Sequence, residues 1–418
     1  AQDAPGSFMA VTTLPRSRYE AVSDRLAPVP GVFFEARQRR RSAAASLSSQ
    51  ILGEVGELPA KRLRELGDHY VKGDVGGLSG LEAAYERQLS GAPGGDIRVV
   101  GDRGRVVEVL RRYQPSKPGS IRTTLQRRAQ RAAQRALSGI ADPAAMVVMD
   151  ARNGQVLAVA NEPVGGFDRA LLGAYPPGST FKVLTTTALL RSGVVQPSTG
   201  VTCPREATVG GLTFGNAGGE VLGDIPFRTA FFRSCNTAFV QLADELDTVD
   251  LVDTVESLGF NDDSDDYAGG VPVQGGSFPV PEDAAEQAAA AIGQGRVLAT
   301  PLQMASVAAA MAGGTWHPPS FVVADDPDGT EVPEAPTLRR LMRLVVKQGT
   351  GTAAAVGNQP IGGKTGTAEF GSEDPPDTHA WFIGFRGDAA LAVVVEGGGF
   401  GGEVAAPAAA RFFRSYDA

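Results

Sequence analysis

The stretch Pro176-Pro177-Gly178-Ser179-Thr180-Phe181-Lys182 sets a serine and a lysine three residues apart behind a Pro-Pro-Gly entry. That entry and the run that follows predict a helix from Ser179 to about Leu190. Ser179 and Lys182 then lie one turn apart and share a face. Free backbone N–H groups and the positive end of the dipole in a first turn favour an anion. Such a place stabilises the oxyanion formed when a carbonyl is attacked.

Working outward, lysine is scarce. Of 39 basic residues only Lys61, Lys72, Lys117, Lys182, Lys347 and Lys364 are not arginine. Arginine cannot give up its proton to act as a base, so a lysine at a chemically meaningful spacing carries information. Lys364 opens Lys364-Thr365-Gly366-Thr367, and Ser234-Cys235-Asn236 lies between the two lysine motifs. A serine hydroxyl needs a neighbouring base to become a nucleophile. Lys182 fills that role only if burial and a like charge lower it from about 10.4 toward 7, which requires roughly 4–5 kcal/mol. Lys364 supplies that like charge and stays protonated against a substrate carboxylate. Ser234 relays a proton between the lysines, and Asn236 fixes Lys182 or holds a substrate amide. Thr365, Gly366 and Thr367 offer hydroxyl and backbone donors along an edge strand. Each motif alone is weak, but the ordered trio is strong because each supplies what the others lack.

Composition bounds the alternatives. A length of 418 residues allows two or three domains. The net charge of −8 argues against a nucleic-acid partner. No apolar run reaches the ~18 residues that span a bilayer. The chain starts at alanine without a signal peptide, so a membrane attachment is expected only through a segment absent from this chain. The scattered His69, His317 and His379 give no metal-ligand spacing, and neither a metal nor a cofactor is expected. Cys203 and Cys235 are read either as one disulfide beside the site or as two buried thiols.

Residues 1–115 read as a smaller N-terminal domain. It has charged short helices at 19–26 and 59–70, a basic run at 37–41 read as a solvated face, and a hairpin pairing Val99-Val100 with Val106-Val107. After a break at 115–119, a helix is expected over 123–137. Residues 116–418 form the larger domain, with strands at 146–149 and 156–159 joined through Asn153-Gly154. Helices follow at 283–292, 302–311 and 338–346, then strands at 365–370, 380–385 and 391–395, and a helix at 405–416. Acidic or proline-rich loops are read at 262–266 and 325–336. Strands at both ends with helices between give an α/β chain of the α+β type: a five-stranded antiparallel sheet whose first and last strands are neighbours, covered by helices on both faces. Gly397 to Gly402 reads as a flexible connection after a strand, with the rim of a cleft as the other reading. Trp381 reads as core.

At these motifs the chain resembles the penicillin-binding proteins, in particular the monofunctional class B D,D-transpeptidases. Cys235 stands where the family pattern has aspartate. The likeness extends to Gly77-Leu78-Ser79-Gly80-Leu81-Glu82 with Tyr85 and Leu89, to Gly293-Gln294-Gly295 through Thr300 to Ala305, to His379-Ala380-Trp381-Phe382, and to 396–407. The resemblance implies a serine transpeptidase/β-lactamase-like domain and a non-catalytic, pedestal- or dimerisation-like N-terminal domain, here short enough to be truncated. It implies that Ser179 attacks the D-Ala-D-Ala bond of a peptidoglycan stem peptide and that an amine of a second stem takes the acyl group. It further implies acylation of Ser179 by β-lactams, an oxyanion hole from the Ser179 and Thr367 amides, cell-wall synthesis partners, and work at the extracytoplasmic face of the bacterial membrane.

Rival readings are a β-lactam sensor, a β-lactamase, and a non-catalytic scaffold of a wall-building complex. The Glu-x-x-x-Asn spacing of one lactamase family is absent between Ser234 and Lys364, and a scaffold has no need of the full motif set. A phosphate loop ending at Gly363-Lys364-Thr365 would need glycine at Asn358.

Overall fold

The computed structural model describes residues 12, 14, 16–30, 32, 34, 51–67, 70–91, 94–101, 106–262, 267–323, 328–371 and 376–416. The chain divides into two compact units, Ala1–Ala43 and Ala44–Ala418. In the first, helix α1 (Arg16–Leu26) is followed by an edge-to-face contact of Tyr19 with Phe34. The basic run 37–41 lies outside the described residues.

The second unit opens with β1 (Val55–Glu57), α2 (Ala60–Leu66), β2 (Val75–Gly77), α3 (Gly80–Ala84) and α4 (Glu86–Ser90), with β1 and β2 antiparallel. The helix expected over 59–70 therefore stops at Leu66. The hairpin forms as β3 (Gly95–Val100) and β4 (Val106–Tyr113); its tip at 102–105 lies outside the described residues. Helix α5 (Arg127–Leu137) starts later than the alanine pattern implied. Residues 123–126 are held extended instead: Thr124 N–H donates to Phe321 O, and Gln126 N–H to Leu157 O.

The main sheet has the order β13-β14-β15-β5-β6, all antiparallel. Its strands are β5 (Ala144–Asp150), β6 (Val156–Glu162), β13 (Gly362–Phe370), β14 (Asp377–Arg386) and β15 (Ala389–Val395). First and last strands pair in the middle, as the sequence pattern required. β5 is buried throughout because both faces are covered. Ala145, Val147 and Met149 face one core, while Ala144, Met146 and Val148 face the other, following the two-residue period of a strand.

Between these strands lie α6 (Lys182–Arg191), β7 (Gly200–Cys203), β8 (Glu206–Val209), β9 (Leu212–Gly215), β10 (Gly223–Pro226), α7 (Phe227–Arg233), α8 (Asn236–Asp244), α9 (Thr248–Glu256), α10 (Ala284–Ala291), α11 (Pro301–Gly313), β11 (Thr315–Trp316), β12 (Thr330–Glu331) and α12 (Ala335–Gln348). Helix α11 is apolar around most of its surface and packs in the first core; α5 and the last helix, α13 (Ala405–Tyr416), fill the second. Of the expected loop 325–336, residues 325–327 lie outside the described residues and part of the rest forms regular structure. Thr330–Glu331 pairs with Thr315–Trp316, and Pro336 sits in the first turn of α12, where its missing N–H costs nothing. Of the acidic loop, residues 263–266 lie outside the described residues.

Phe412 is fully buried between α5 and the sheet. Phe412→Ala should lower stability by about 3–5 kcal/mol, as removal of a core aromatic does. Denaturant titration measures it.

Candidate active site

Helix α6 is buried on every side from Lys182 to Leu189; the Thr185 and Thr187 hydroxyls donate to Ala291 O and Val183 O, while Thr186 Oγ1 has no partner among the described residues. It is entered through a 3-10 turn, Gly178–Phe181. Ser179 thus stands in that tighter turn and not in the first α-helical turn the spacing implied. Three residues per turn place Ser179 and Lys182 in line. Ser179 is partly exposed.

The turn is pressed against the edge strand. Gly178 has φ +52°, and a Cβ there would stand 2.9 Å from Thr367 O. Gly366 is as tightly placed: its Cβ would meet Pro177 O at 2.8 Å. On the other flank Gly178 N–H donates to Gly293 O at 2.9 Å. Gly293 itself has no room for a side chain, since a Cβ would lie 2.2 Å from Gly178 O. These contacts bring Gly366 and Thr367 beside the turn that carries Ser179.

Lys182 and Lys364 are both fully buried. The Lys182 amine donates to Asn236 Oδ1 at 2.6 Å and to Ser234 O at 2.8 Å, and stands 3.4 Å from Ser234 Oγ. Two short acceptors satisfy both N–H groups of a neutral amine and leave its lone pair for a proton. Lys364 donates to Ser234 Oγ at 2.7 Å and to Thr365 O at 3.0 Å. The Ser234 hydroxyl therefore lies between the two amines. Burial, and after it the Lys364 charge, pushes Lys182 well below the usual lysine range. Burial brings Lys364 down to about 7. A free Lys364 therefore loses its charge near neutral pH, and a carboxylate brought against it favours the charged form.

Ser234 takes the left-handed conformation, φ 62° and ψ 36°, at the junction of α7 and α8. Such backbone costs about 1–3 kcal/mol for a residue with a Cβ. Here it turns one residue's carbonyl and hydroxyl toward the lysines. Asn236 is oriented through its amide, which donates to Gly215 O at 3.0 Å. The residue between them, Cys235, is disulfide-bonded to Cys203, with Cα atoms 6.3 Å apart. Of the two readings open from the sequence, the bridged one is found. It ties the start of α8 to β7.

Thr365 shares a hydrogen bond between hydroxyls with Thr350. Thr367 Oγ1 accepts from Gly401 N–H at 3.3 Å, and Gly399 N–H donates to Thr378 O. A Cβ on Gly401 would lie 2.2 Å from Gly366 O. The loop 397–402 is therefore tied to β13 at Thr367 and to β14 at Thr378, which favours the rim reading over that of a free connection. Trp381 is fully buried, as read from the sequence, and donates to Pro176 O at 3.0 Å. The sequence reading gave no part to Tyr175, Thr350 or Glu396, and Glu396 had drawn notice only within a matching stretch. No charge or spacing signal marks them, since their contacts join residues far apart in the chain. Among the described residues no group of histidine, cysteine or acidic side chains is arranged to hold a metal, and no helix is long and apolar enough to cross a membrane.

Residues 144–414 match the family described as penicillin binding protein transpeptidase domain, and residues 3–122 match the penicillin-binding protein dimerisation domain. The peptidoglycan D,D-transpeptidase PbpA of Mycolicibacterium smegmatis is 32% identical, with 79% of this chain and 77% of the relative covered. Penicillin-binding protein A of M. tuberculosis, solved as its ceftriaxone acyl-enzyme, is 26% identical with a TM-score of 0.65, covering 72% of this chain and 80% of that one. A chain from a peptidoglycan synthase complex that coordinates polymerization and crosslinking has a TM-score of 0.79 at 27% identity, covering 96% and 80%.

Gly178→Ala adds a Cβ at a positive φ and against Thr367 O. It should cost about 1–3 kcal/mol, seen as a lowered thermal midpoint.

Proposed function

Because the chain belongs to the penicillin-binding protein transpeptidase family, we propose that it cross-links peptidoglycan stem peptides as a serine D,D-transpeptidase and is acylated by β-lactams at the same serine. The observation that carries this reading is the Ser234 hydroxyl held between two buried lysine amines, one of them that of Lys182, which directly follows the turn that bears Ser179. The M. smegmatis relative bears the name of this activity, and the M. tuberculosis structure is a β-lactam acyl-enzyme.

Ser179 Oγ attacks the carbonyl of the penultimate D-alanine while the neutral Lys182 takes its proton. The Ser179 and Thr367 amides receive the oxyanion. The proton passes by Lys182 and Ser234 to the departing D-alanine nitrogen as the peptide bond breaks. An amine of a second stem then attacks the ester, loses a proton along the same route, and returns Ser179 to its hydroxyl form. In acylation by a β-lactam the ring amide breaks instead, and the opened ring stays attached. Lys364 and Thr365 meet the terminal carboxylate of the donor, with Gly366 and Thr367 pairing along the edge strand. Asn236 keeps the Lys182 amine in place.

In this reading residues 1–115 form a non-catalytic part and 116–418 the transpeptidase, a division supported by the family matches over 3–122 and 144–414. The enzyme works at the extracytoplasmic face of the membrane within a wall-building assembly; the similarity to a synthase-complex chain supports such partners.

Intact-protein mass spectrometry after penicillin exposure tests the reading. A stable adduct should form on the wild type and vanish in Ser179→Ala, whereas an adduct that persists in the variant overturns the assignment. Rapid loss of the wild-type adduct would indicate a lactamase instead. Lys182→Arg puts a permanent cation where the base is needed and should slow acylation by about 10²–10⁴-fold.

The pH dependence separates the lysines. Lys364, at about 7 in the free protein, loses its charge as pH rises through that value. First-encounter affinity for a carboxylate-bearing β-lactam should therefore weaken above it. The bound carboxylate favours the charged form, so the midpoint in the complex lies higher. Stopped-flow measurement of Kd against pH checks this, and the dependence should be lost in Lys364→Ala.

A further inference from the structure

Four residues before Ser179, the chain is anchored by a side chain with no part in the chemistry above. Tyr175 is 7% exposed, and its backbone pairs with Ala299 through two hydrogen bonds, of 3.0 and 2.8 Å. Its hydroxyl donates to Glu396 Oε1 at 2.6 Å. The same oxygen lies 3.1 Å from Arg169 Nε. Glu396 directly follows β15, where its own N–H donates to Pro143 O at 2.8 Å. The Tyr175 ring meets His379 and Trp381 edge-on, at centroid distances of 5.1 and 6.2 Å. Next in the chain, Pro176 O accepts from Trp381, Pro177 O from the Thr180 hydroxyl at 2.6 Å, and Gly178 pairs with Gly293. Every residue from 175 to 178 is thus tied down, and Tyr175 makes the one tie in this stretch to a charged group.

We propose that Tyr175, held by Glu396 and Arg169, is a positioning residue that sets the Ser179 turn against the end of the sheet, so that the Ser179 and Thr367 amides and the lysine base converge on one carbonyl. This rests on the transpeptidase reading above. The tie suits that purpose on three counts. It joins the nucleophile turn directly to the residue after the central strand β15, two strands in from the edge strand that carries Lys364 and Thr367. A phenol donating to a carboxylate is a charge-assisted bond, shorter and stronger than one between neutral groups. The donor also stays in its donating form: burial first, and then the Glu396 hydrogen bond and charge, push the Tyr175 phenol up. An aromatic ring with two rotatable bonds transmits the constraint with little slack. The buried ring reaches Glu396, not the cleft, so its influence on the reaction passes through the backbone of 175–179. Misplacing a reacting group by about 1 Å can cost on the order of 100-fold in rate.

The test compares Tyr175→Phe, Glu396→Gln, Glu396→Ala and the double variant Tyr175→Phe/Glu396→Ala with the wild type. The readouts are the first-order acylation constant at saturating penicillin, the Kd of the initial complex, and the thermal midpoint. Wild-type acylation is the control, because its failure would sink the transpeptidase reading and not this one. Tyr175→Phe should lower the acylation constant by about 10–100-fold, with Kd within about twofold at a temperature well below the midpoint. Glu396→Gln keeps an acceptor oxygen and should retain more rate than Glu396→Ala. The double variant should be no slower than the worse single variant, since one link is cut twice. An unchanged acylation constant in Tyr175→Phe, a loss confined to the thermal midpoint, or multiplied losses in the double variant would overturn the proposal.

Discussion

Two amines, Lys182 and Lys364, are sealed away from water with no carboxylate partner among the described residues. Their acceptors are a backbone carbonyl each, one asparagine oxygen and one shared serine hydroxyl, all neutral. An ammonium in such a place loses its hydration with no opposite charge to replace it, at a cost of several kcal/mol. The amine is the cheaper species to bury, so the fold favours the form of lysine that can accept a proton. The cost is borne locally and offset by a sheet buried on both faces, where β5 and β15 contribute an almost unbroken series of fully buried apolar side chains. The left-handed Ser234 is sustained in the same way. A strained residue between two helices persists because the disulfide at Cys235 and the Asn236 amide fix the chain immediately after it.

The geometry of this pair also explains why the glycines cluster where they do. Gly178, Gly293, Gly366 and Gly401 lie where backbone meets backbone with no space for a Cβ. Together they let the Ser179 turn, the edge strand and the loop 397–402 approach closely around Thr367. A methyl group at any of them would push these backbone segments apart. Close approach there is a requirement of the site and not a general looseness of the chain.

Much of this was legible in the sequence because the strands that build the sheet are apolar runs of the right length. Met146 to Met149 and Leu391 to Val395 read as strands from their apolar character, and their places at opposite ends of the domain pointed to their pairing. The motif lysines were legible because arginine fills nearly every other basic position. What the sequence concealed lies where contacts are long-range or the periodicity is mixed. The segment from Gly200 to Glu256 folds into two small antiparallel pairs and three helices, and its short strands alternate exposed and buried residues too briefly to show a period. Helix α5 carries a clear alanine face, yet its start could not be placed, because residues 123–126 pair with partners as distant as Phe321. The disulfide stayed open since a two-cysteine chain is compatible with either state. Glu396 was hidden for a similar reason: a glutamate after a strand is ordinary until Tyr175, 221 residues away, is seen to donate to it.

The two amines are best treated as one device sharing one proton. Both reach the Ser234 hydroxyl, so a charge on either disfavours a charge on the other, and Lys182 is lowered in part by Lys364. In a coupled pair of this kind the site binds protons as a unit. In the proposed reaction a substrate carboxylate at Lys364 favours the charged form there, and that charge in turn presses Lys182 further toward its neutral state. Binding of the correct substrate end therefore strengthens the bias that makes Lys182 a base. An ester or amide without the carboxylate would lack this effect even if its carbonyl reached Ser179. In the proposed reaction, recognition and activation are coupled through the repulsion of two buried charges, with Ser234 as the hydroxyl through which they meet.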